Sequence, residues 1–253
     1  MTLVARLKSK LDQRADLSEI LAGSWTTLSP SELAARTVYL ERDGKAALGD
    51  LFQIEGVSTG RIEFTDDLAL VDRLGAGLQT GEVLVRGNVG REAGLAMAGG
   101  VFDIEGNAGP RAGAAPLGYK RGMTGGEMIV RGSAGDEAGT LMRRGLLVIG
   151  RTAGALTGRG MIAGTVVVLG AAGTDTGLWS KRGSVVVLGK VTPPETYAYA
   201  CTCQPMYLRL MLTRLRKTYH MPIQRKHFTG LYQRYSGDLA ELGKGEILAW
   251  KPS

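Results

Sequence analysis

Short stretches of alternating apolar and polar residues recur through the middle of the chain at a nearly constant spacing. Each stretch follows one of six glycines, Gly81, Gly100, Gly126, Gly145, Gly164 and Gly183, so the steps are 19, 26, 19, 19 and 19 residues. The third and fifth positions of each unit, counted from the glycine, are apolar, as in Leu147 and Ile149. Because alternate residues of a strand point to the same side, each unit predicts one short strand with a buried face.

Further glycines follow at fixed distances, and most units read G-x5-G-x2-G-x3-G. A fixed repeat is typical of a solenoid, in which each unit buries its apolar side against its neighbours. Small residues at the ninth and thirteenth positions and methionine at the seventeenth fit a narrow interior. We therefore expect an all-β fold, a right-handed parallel β-helix with about 19 residues per turn over residues 61–190.

The two flanking segments lack the glycine pattern. Residues 1–60 contain strand-like runs and are expected to form an N-terminal cap segment, because the end strand of a sheet needs cover. Residues 191–253 are expected to form a C-terminal basic extension with an amphipathic helix over 206–220.

The fourth strand position, which should point outward, is apolar in the last four units, as in Val148 and Val167. A contiguous apolar patch on an outer face indicates that something packs on it. We expect the C-terminal helix to cover part of this face and another subunit to cover the rest.

Positive charge is concentrated near the C-terminus. The net charge is +7, and no acidic residue occurs from Thr196 to Gly237. No nucleic-acid-binding module is recognisable, so we expect an acidic protein or a polyanionic small molecule as the partner, and not nucleic acid.

The longer step between units reflects an insertion within residues 114–122, which is predicted to leave the repeats as a loop and carries Lys120 and Arg121.

The sequence contains no catalytic motif. There is no nucleophile elbow, phosphate loop or zinc-protease motif, and the only histidines are His220 and His227. Cys201 and Cys203 are expected to be reduced thiols, and no metal site is expected. Because no catalytic motif is present, we expect the chain itself to be non-catalytic. No apolar run reaches 18 residues and no signal peptide is visible, which predicts a cytoplasmic chain without membrane contact.

The G-x-x-G-x-x-x-G motif at 87–94, 106–113, 132–139 and 170–177 resembles a domain shared by two families. One is the C-terminal β-helix of glutamate synthase. The other is the β-helix subunit of formylmethanofuran dehydrogenase, together with its relative in the bacterial formyltransferase/hydrolase complex. The chain length and the segment 14–17 resemble this bacterial relative. Arg151 departs from the glycine that the family pattern has at that corner.

This resemblance implies a scaffold subunit without a cofactor of its own in one-carbon metabolism. In such a complex a formyltransferase subunit moves a formyl group from tetrahydromethanopterin to a methanofuran-like carrier. A metal-containing, amidohydrolase-like subunit then releases formate, and a further subunit is part of the assembly. The alternatives are the equivalent dehydrogenase subunit and a glutamate-synthase-type domain.

Carriers of this family are linked to several glutamates, so the resemblance also implies a polyanionic arm. The cations expected to bind that arm are Lys120, Arg121, Arg214, Arg216 and Lys217. Arginine binds carboxylates through charge-assisted, often bidentate hydrogen bonds. Acidic surfaces of neighbouring subunits are the alternative partners of the same cations.

Overall fold

The computed structural model describes residues 2–23 and 25–252 and has a mixed α/β fold. Its described residues form a 12-stranded, mostly parallel sheet, a 4-stranded sheet and four α-helices. The prediction of an all-β, right-handed parallel β-helix is therefore wrong. The repeat determines one strand per unit, but the other residues of each unit form turns with single bridges, and the flanking segments add helices.

The first eight strands are β1 (Leu3–Leu7), β2 (Ala15–Asp16), β3 (Thr37–Leu40), β4 (Gly44–Ala47), β5 (Phe52–Glu55), β6 (Arg61–Phe64), β7 (Val71–Asp72) and β8 (Glu82–Val85). The others are β9 (Val101–Ile104), β10 (Glu127–Val130), β11 (Leu146–Ile149), β12 (Thr165–Val168), β13 (Arg182–Val187), β14 (Ala198–Cys203), β15 (Leu231–Gly237) and β16 (Lys244–Lys251). The helices are α1 (Pro30–Ala34), α2 (Leu48–Leu51), α3 (Met206–Thr218) and α4 (Arg225–Thr229), and Trp25–Thr27 forms one 3-10 turn.

The large sheet has the order β14-β15-β16-β13-β12-β11-β10-β9-β8-β6-β1-β5. From β6 to β13 the pairing is parallel, and equivalent residues of consecutive units face each other, as Met128 faces Leu147 and Leu147 faces Val166. A second line of parallel bridges joins the ninth positions, from Leu68 and Val89 to Ala172. The small sheet has the order β4-β3-β2-β7.

Glycine precedes each repeat strand because neighbouring backbones come too close there for a side chain. Gly145 has φ of 96°, and a Cβ atom at this position would lie 2.7 Å from the carbonyl oxygen of Gly126. Only glycine adopts this conformation and leaves that space free. Arg151 replaces a corner glycine without breaking the pattern, since its amide still donates to Gly132 and its carbonyl accepts from Gly170.

The apolar positions of the units form one hydrophobic core with buried residues of the N-terminal part, from Leu3 to Leu78. The methionines at the seventeenth position, Met97, Met123, Met142 and Met161, are fully buried. Thr157 and Thr176 replace alanine at the thirteenth position, and each hydroxyl donates to a carbonyl three residues earlier. Their burial therefore leaves no unpaired hydroxyl.

The opposite face of the repeat strands packs against α3. Val148 and Val167 are fully buried in a second cluster, together with Leu208, Leu212 and Leu215 of the helix. The predicted amphipathic helix is thus confirmed. The expectation that another subunit is needed on these valines is wrong, because the chain covers them itself.

The C-terminal segment also supplies three strands that the sequence pattern did not reveal. β16 pairs in parallel with β13, and β15 and β14 follow in antiparallel pairing. Strands from residues 1–60, 61–190 and 191–253 all join the large sheet. The division of the chain into these three segments stays a prediction.

Two leucines of α3 test this packing. Leu212→Ala removes a fully buried side chain that packs against the repeat strands. We expect it to lower the free energy of unfolding by about 2–5 kcal/mol. Leu210→Ala, on the exposed side of the same helix, should change it by less than about 0.5 kcal/mol. Urea unfolding of the isolated chain measures both, and equal effects would contradict the observed docking of α3.

Candidate functional site

A cationic groove lies between α3 and α4. Its volume is about 490 Å³, and it is lined by Arg209, Thr213, Arg216, Lys217, Arg225, Phe228 and Thr229. α3 buries its leucine stripe against the sheet, so Arg209, Arg216 and Lys217 lie on its exposed side. The chain then turns through Met221 and Ile223, which are both buried, and places α4 beside the end of α3.

All the charged side chains that line the groove are positive. None of its lining residues is acidic, and no ion pair among the described residues involves Arg209, Arg216, Lys217 or Arg225. The guanidinium carbon of Arg216 lies 5.5 Å from the centre of the Phe228 ring, which holds the side chain at the groove by a cation–π contact. Such a set of unpaired cations attracts carboxylates or phosphates.

Arg214 belongs to a different environment. Its Nη2 atom lies 2.6 Å from Oε1 of Glu127 on β10, and the Tyr219 hydroxyl donates to the same carboxylate. Glu127 raises the pKa of Arg214, and burial together with Glu127 raises the pKa of Tyr219. Arg214 therefore ties α3 to the sheet, and its charge is already paired.

Lys120 and Arg121 lie on the inserted loop between β9 and β10 and do not line the groove. Both are exposed. The structure thus divides the five predicted cations among three places, and of the five only Arg216 and Lys217 line the groove. It adds Arg209, two turns earlier on α3, and Arg225 of α4, neither of which sequence reasoning had named as a site residue. The acid-free segment was the one signal that included them.

His227 anchors α4 beneath the groove. Its ring is buried and meets the Trp250 ring edge-on at 5.0 Å, and its carbonyl accepts from the Tyr232 hydroxyl. Burial, and after it the nearby Lys226, lowers the pKa of His227 below its usual value of 6.5. The unfolded chain therefore takes up this proton more readily than the folded chain.

Within the described ranges, no group of three or more His, Cys, Asp or Glu is placed to hold a metal ion. Cys201 and Cys203 are free thiols on β14. Among the same residues, no helix combines the length and apolar character needed to span a membrane.

A pH prediction follows from His227. Because its pKa is lowered in the folded state, we expect the chain to lose stability as the pH falls from about 6.5 through that lowered value, and His227 to add no pH dependence above 6.5. His227→Gln should reduce this loss, and the exposed His220→Gln should not. Urea midpoints across this pH window measure the effect, and identical pH profiles for wild type and His227→Gln would refute it.

Comparison with solved structures shows a similarity that spans nearly the whole chain. It covers 98% of this chain and 100% of a chain in the crystal structure of the formyltransferase/hydrolase complex (FhcABCD) from Methylorubrum extorquens, determined in complex with methylofuran. The TM-score is 0.82 and the sequence identity is 32%. No family model matches the sequence, and no curated protein matches it.

Proposed function

We propose that this chain is a non-catalytic scaffold subunit of a formyltransferase/hydrolase complex. It belongs to the same family as the matched chain of that complex. The end-to-end match at 32% identity is the observation that carries this proposal. The subunit works beside a formyltransferase, a metal-containing amidohydrolase-like subunit and a further subunit. Together they convert formyl-tetrahydromethanopterin to formate through a methanofuran-like carrier.

The other two assignments have no support in this match. A formylmethanofuran dehydrogenase subunit and a glutamate-synthase-type domain both rest on the glycine motif alone. The matched complex is a formyltransferase/hydrolase, and the structure of that complex contains methylofuran.

The cationic groove is the proposed contact of this subunit with the carrier. A polyglutamate arm presents successive carboxylates, and the groove offers three arginines and one lysine without a competing acid. Arginine binds each carboxylate in a planar, bidentate manner, whereas lysine adds a point charge. The role of Lys120 and Arg121 toward the arm stays a prediction, as does that of Arg214, whose pairing with Glu127 reduces its attraction for a further anion.

The subunit assignment is tested by isolating the affinity-tagged chain from its own cells and identifying the proteins that accompany it. We expect an amidohydrolase-like subunit, a formyltransferase and one further subunit in fixed ratio. A molybdopterin protein in their place would assign the chain to a dehydrogenase, and recovery of the chain alone would refute the proposal.

The groove is tested in that complex by changing Arg216, Lys217 and Arg225 together to Gln. We expect carrier retention to weaken by about 1–3 kcal/mol, the sum of three exposed charge contacts. The wild-type complex should release carrier more readily as the salt concentration rises. Carrier bound per complex is measured after gel filtration.

The matched control changes Arg6, Lys8 and Lys10 to Gln, which removes the same charge from an exposed region at the other end of the sheet. It should retain the carrier. Loss of a subunit from the groove variant, with the carrier unchanged, would show that the groove contacts an acidic neighbour instead. Unchanged carrier and unchanged composition would refute both roles.

A further inference from the structure

A second pocket, of about 350 Å³, lies beneath the inserted loop and shares no residue with the cationic groove. Residues 115–119 of the loop form one side of it. Leu141, Gly160 and Trp179 line it from three consecutive units. Glu241, from the turn before β16, also lines the pocket.

The shape of the pocket depends on Gly160. Leu141, Gly160 and Trp179 occupy the same position in successive units, and all three have positive φ, of 58°, 63° and 59°. A Cβ atom at Gly160 would lie 2.9 Å from Cδ2 of Leu141. The missing side chain therefore leaves a recess between the leucine and the tryptophan.

Exposed apolar side chains surround this recess. Leu117 is 80% exposed, Tyr119 is 70% exposed and Trp179 is 47% exposed. The turn that contains Glu241 also exposes Leu239 and Leu242, and it is tied to the pocket because the backbone N–H of Trp179 donates to Asp238. Single exposed apolar residues are ordinary, but five on the elements around one recess mark a binding surface.

The polar groups of the pocket leave donors unsatisfied. The Thr140 hydroxyl is buried and has no hydrogen-bond partner among the residues that the structure describes. The Arg159 guanidinium lies 4.7 Å from the centre of the Trp179 ring and has only a long, 3.9 Å contact with Glu137. Lys181 likewise lies 3.8 Å from Glu241. The side chains of Arg159 and Lys181 are 35% and 50% exposed, so they are able to contact the polar groups of a partner.

The inserted loop adds positive charge beside the pocket, whose lining holds three cations, Arg111, Arg159 and Lys181, and two acids, Glu137 and Glu241. Lys120 and Arg121 are exposed on the inserted loop beside Tyr119, and no ion pair among the described residues involves either of them. Unpaired cations around an apolar recess favour a partner that presents acidic residues beside an apolar side chain.

We infer that this pocket docks a different, acidic subunit of the assembly, which inserts one large apolar side chain between Leu117 and Trp179. The inference rests on the proposed function, because it requires that assembly. Interfaces depend on a few buried anchors of this kind, surrounded by polar contacts. A second copy of this chain is disfavoured, because each copy carries a net charge of +7 and two copies repel each other.

The test uses the intact assembly with Leu117→Asp in this chain. The aspartate places a charge where the apolar anchor enters and repels acidic neighbours. We expect at least a tenfold weaker association of this chain with the other subunits, measured by native mass spectrometry over a dilution series. Leu210→Asp changes a leucine on α3 that is 70% exposed, and this matched control should assemble as the wild type does. Because both leucines are exposed, both variants should fold, which thermal unfolding checks.

A second variant, Lys120→Glu with Arg121→Glu, tests the charge contribution separately. It should weaken association at low salt and leave it nearly unchanged at high salt. If the wild-type chain assembles and Leu117→Asp assembles equally well, the docking site is refuted while the proposed function stands. If the wild-type chain does not assemble at all, the proposed function itself fails.

Discussion

The structure depends on the close approach of consecutive backbones at their glycine corners. At Gly106, Gly132 and Gly189 a side chain would meet the preceding unit's backbone at about 2.5–2.6 Å. Glycine at these positions lets consecutive units approach closely, and Arg151, the one larger residue of this column, keeps the same backbone hydrogen bonds to its neighbours. Polar side chains reinforce the same register, because Asn107 donates to Asn88 and Ser133 lies within hydrogen-bonding distance of Thr152. A slip of one residue would turn the core-facing side chains of a strand to its opposite face.

Each of the two candidate sites needs an addition to the repeating units. The units themselves are occupied with packing on both faces, one in the main core and the other beneath α3. The cationic groove is built by α3 and α4, and the second pocket depends on the inserted loop and the turn before β16. A rigid repeat with variable additions provides binding surfaces without disturbing the core.

The cations of the chain have two separate roles. Arg86 bridges Glu63 and Glu105, and Arg111 bridges Glu92 and Glu137, so both link neighbouring units. The groove arginines have no such partners within the described residues. Net charge cannot separate these roles, because an arginine paired within the fold has little attraction left for a ligand.

The sequence by itself determined the repeat strands, their parallel order and the buried columns, because a fixed period records contacts between neighbouring units. It also determined α3, since helical amphipathicity is local. Only the tertiary structure decided the fold class, because a repeat does not specify the conformation of the turns between its strands or the secondary structure of the flanking segments. The pairing of β16 with β13 and the contact of Arg214 with Glu127 join residues far apart in the chain. No local pattern contains such contacts, so the division between structural and free cations became visible only in three dimensions.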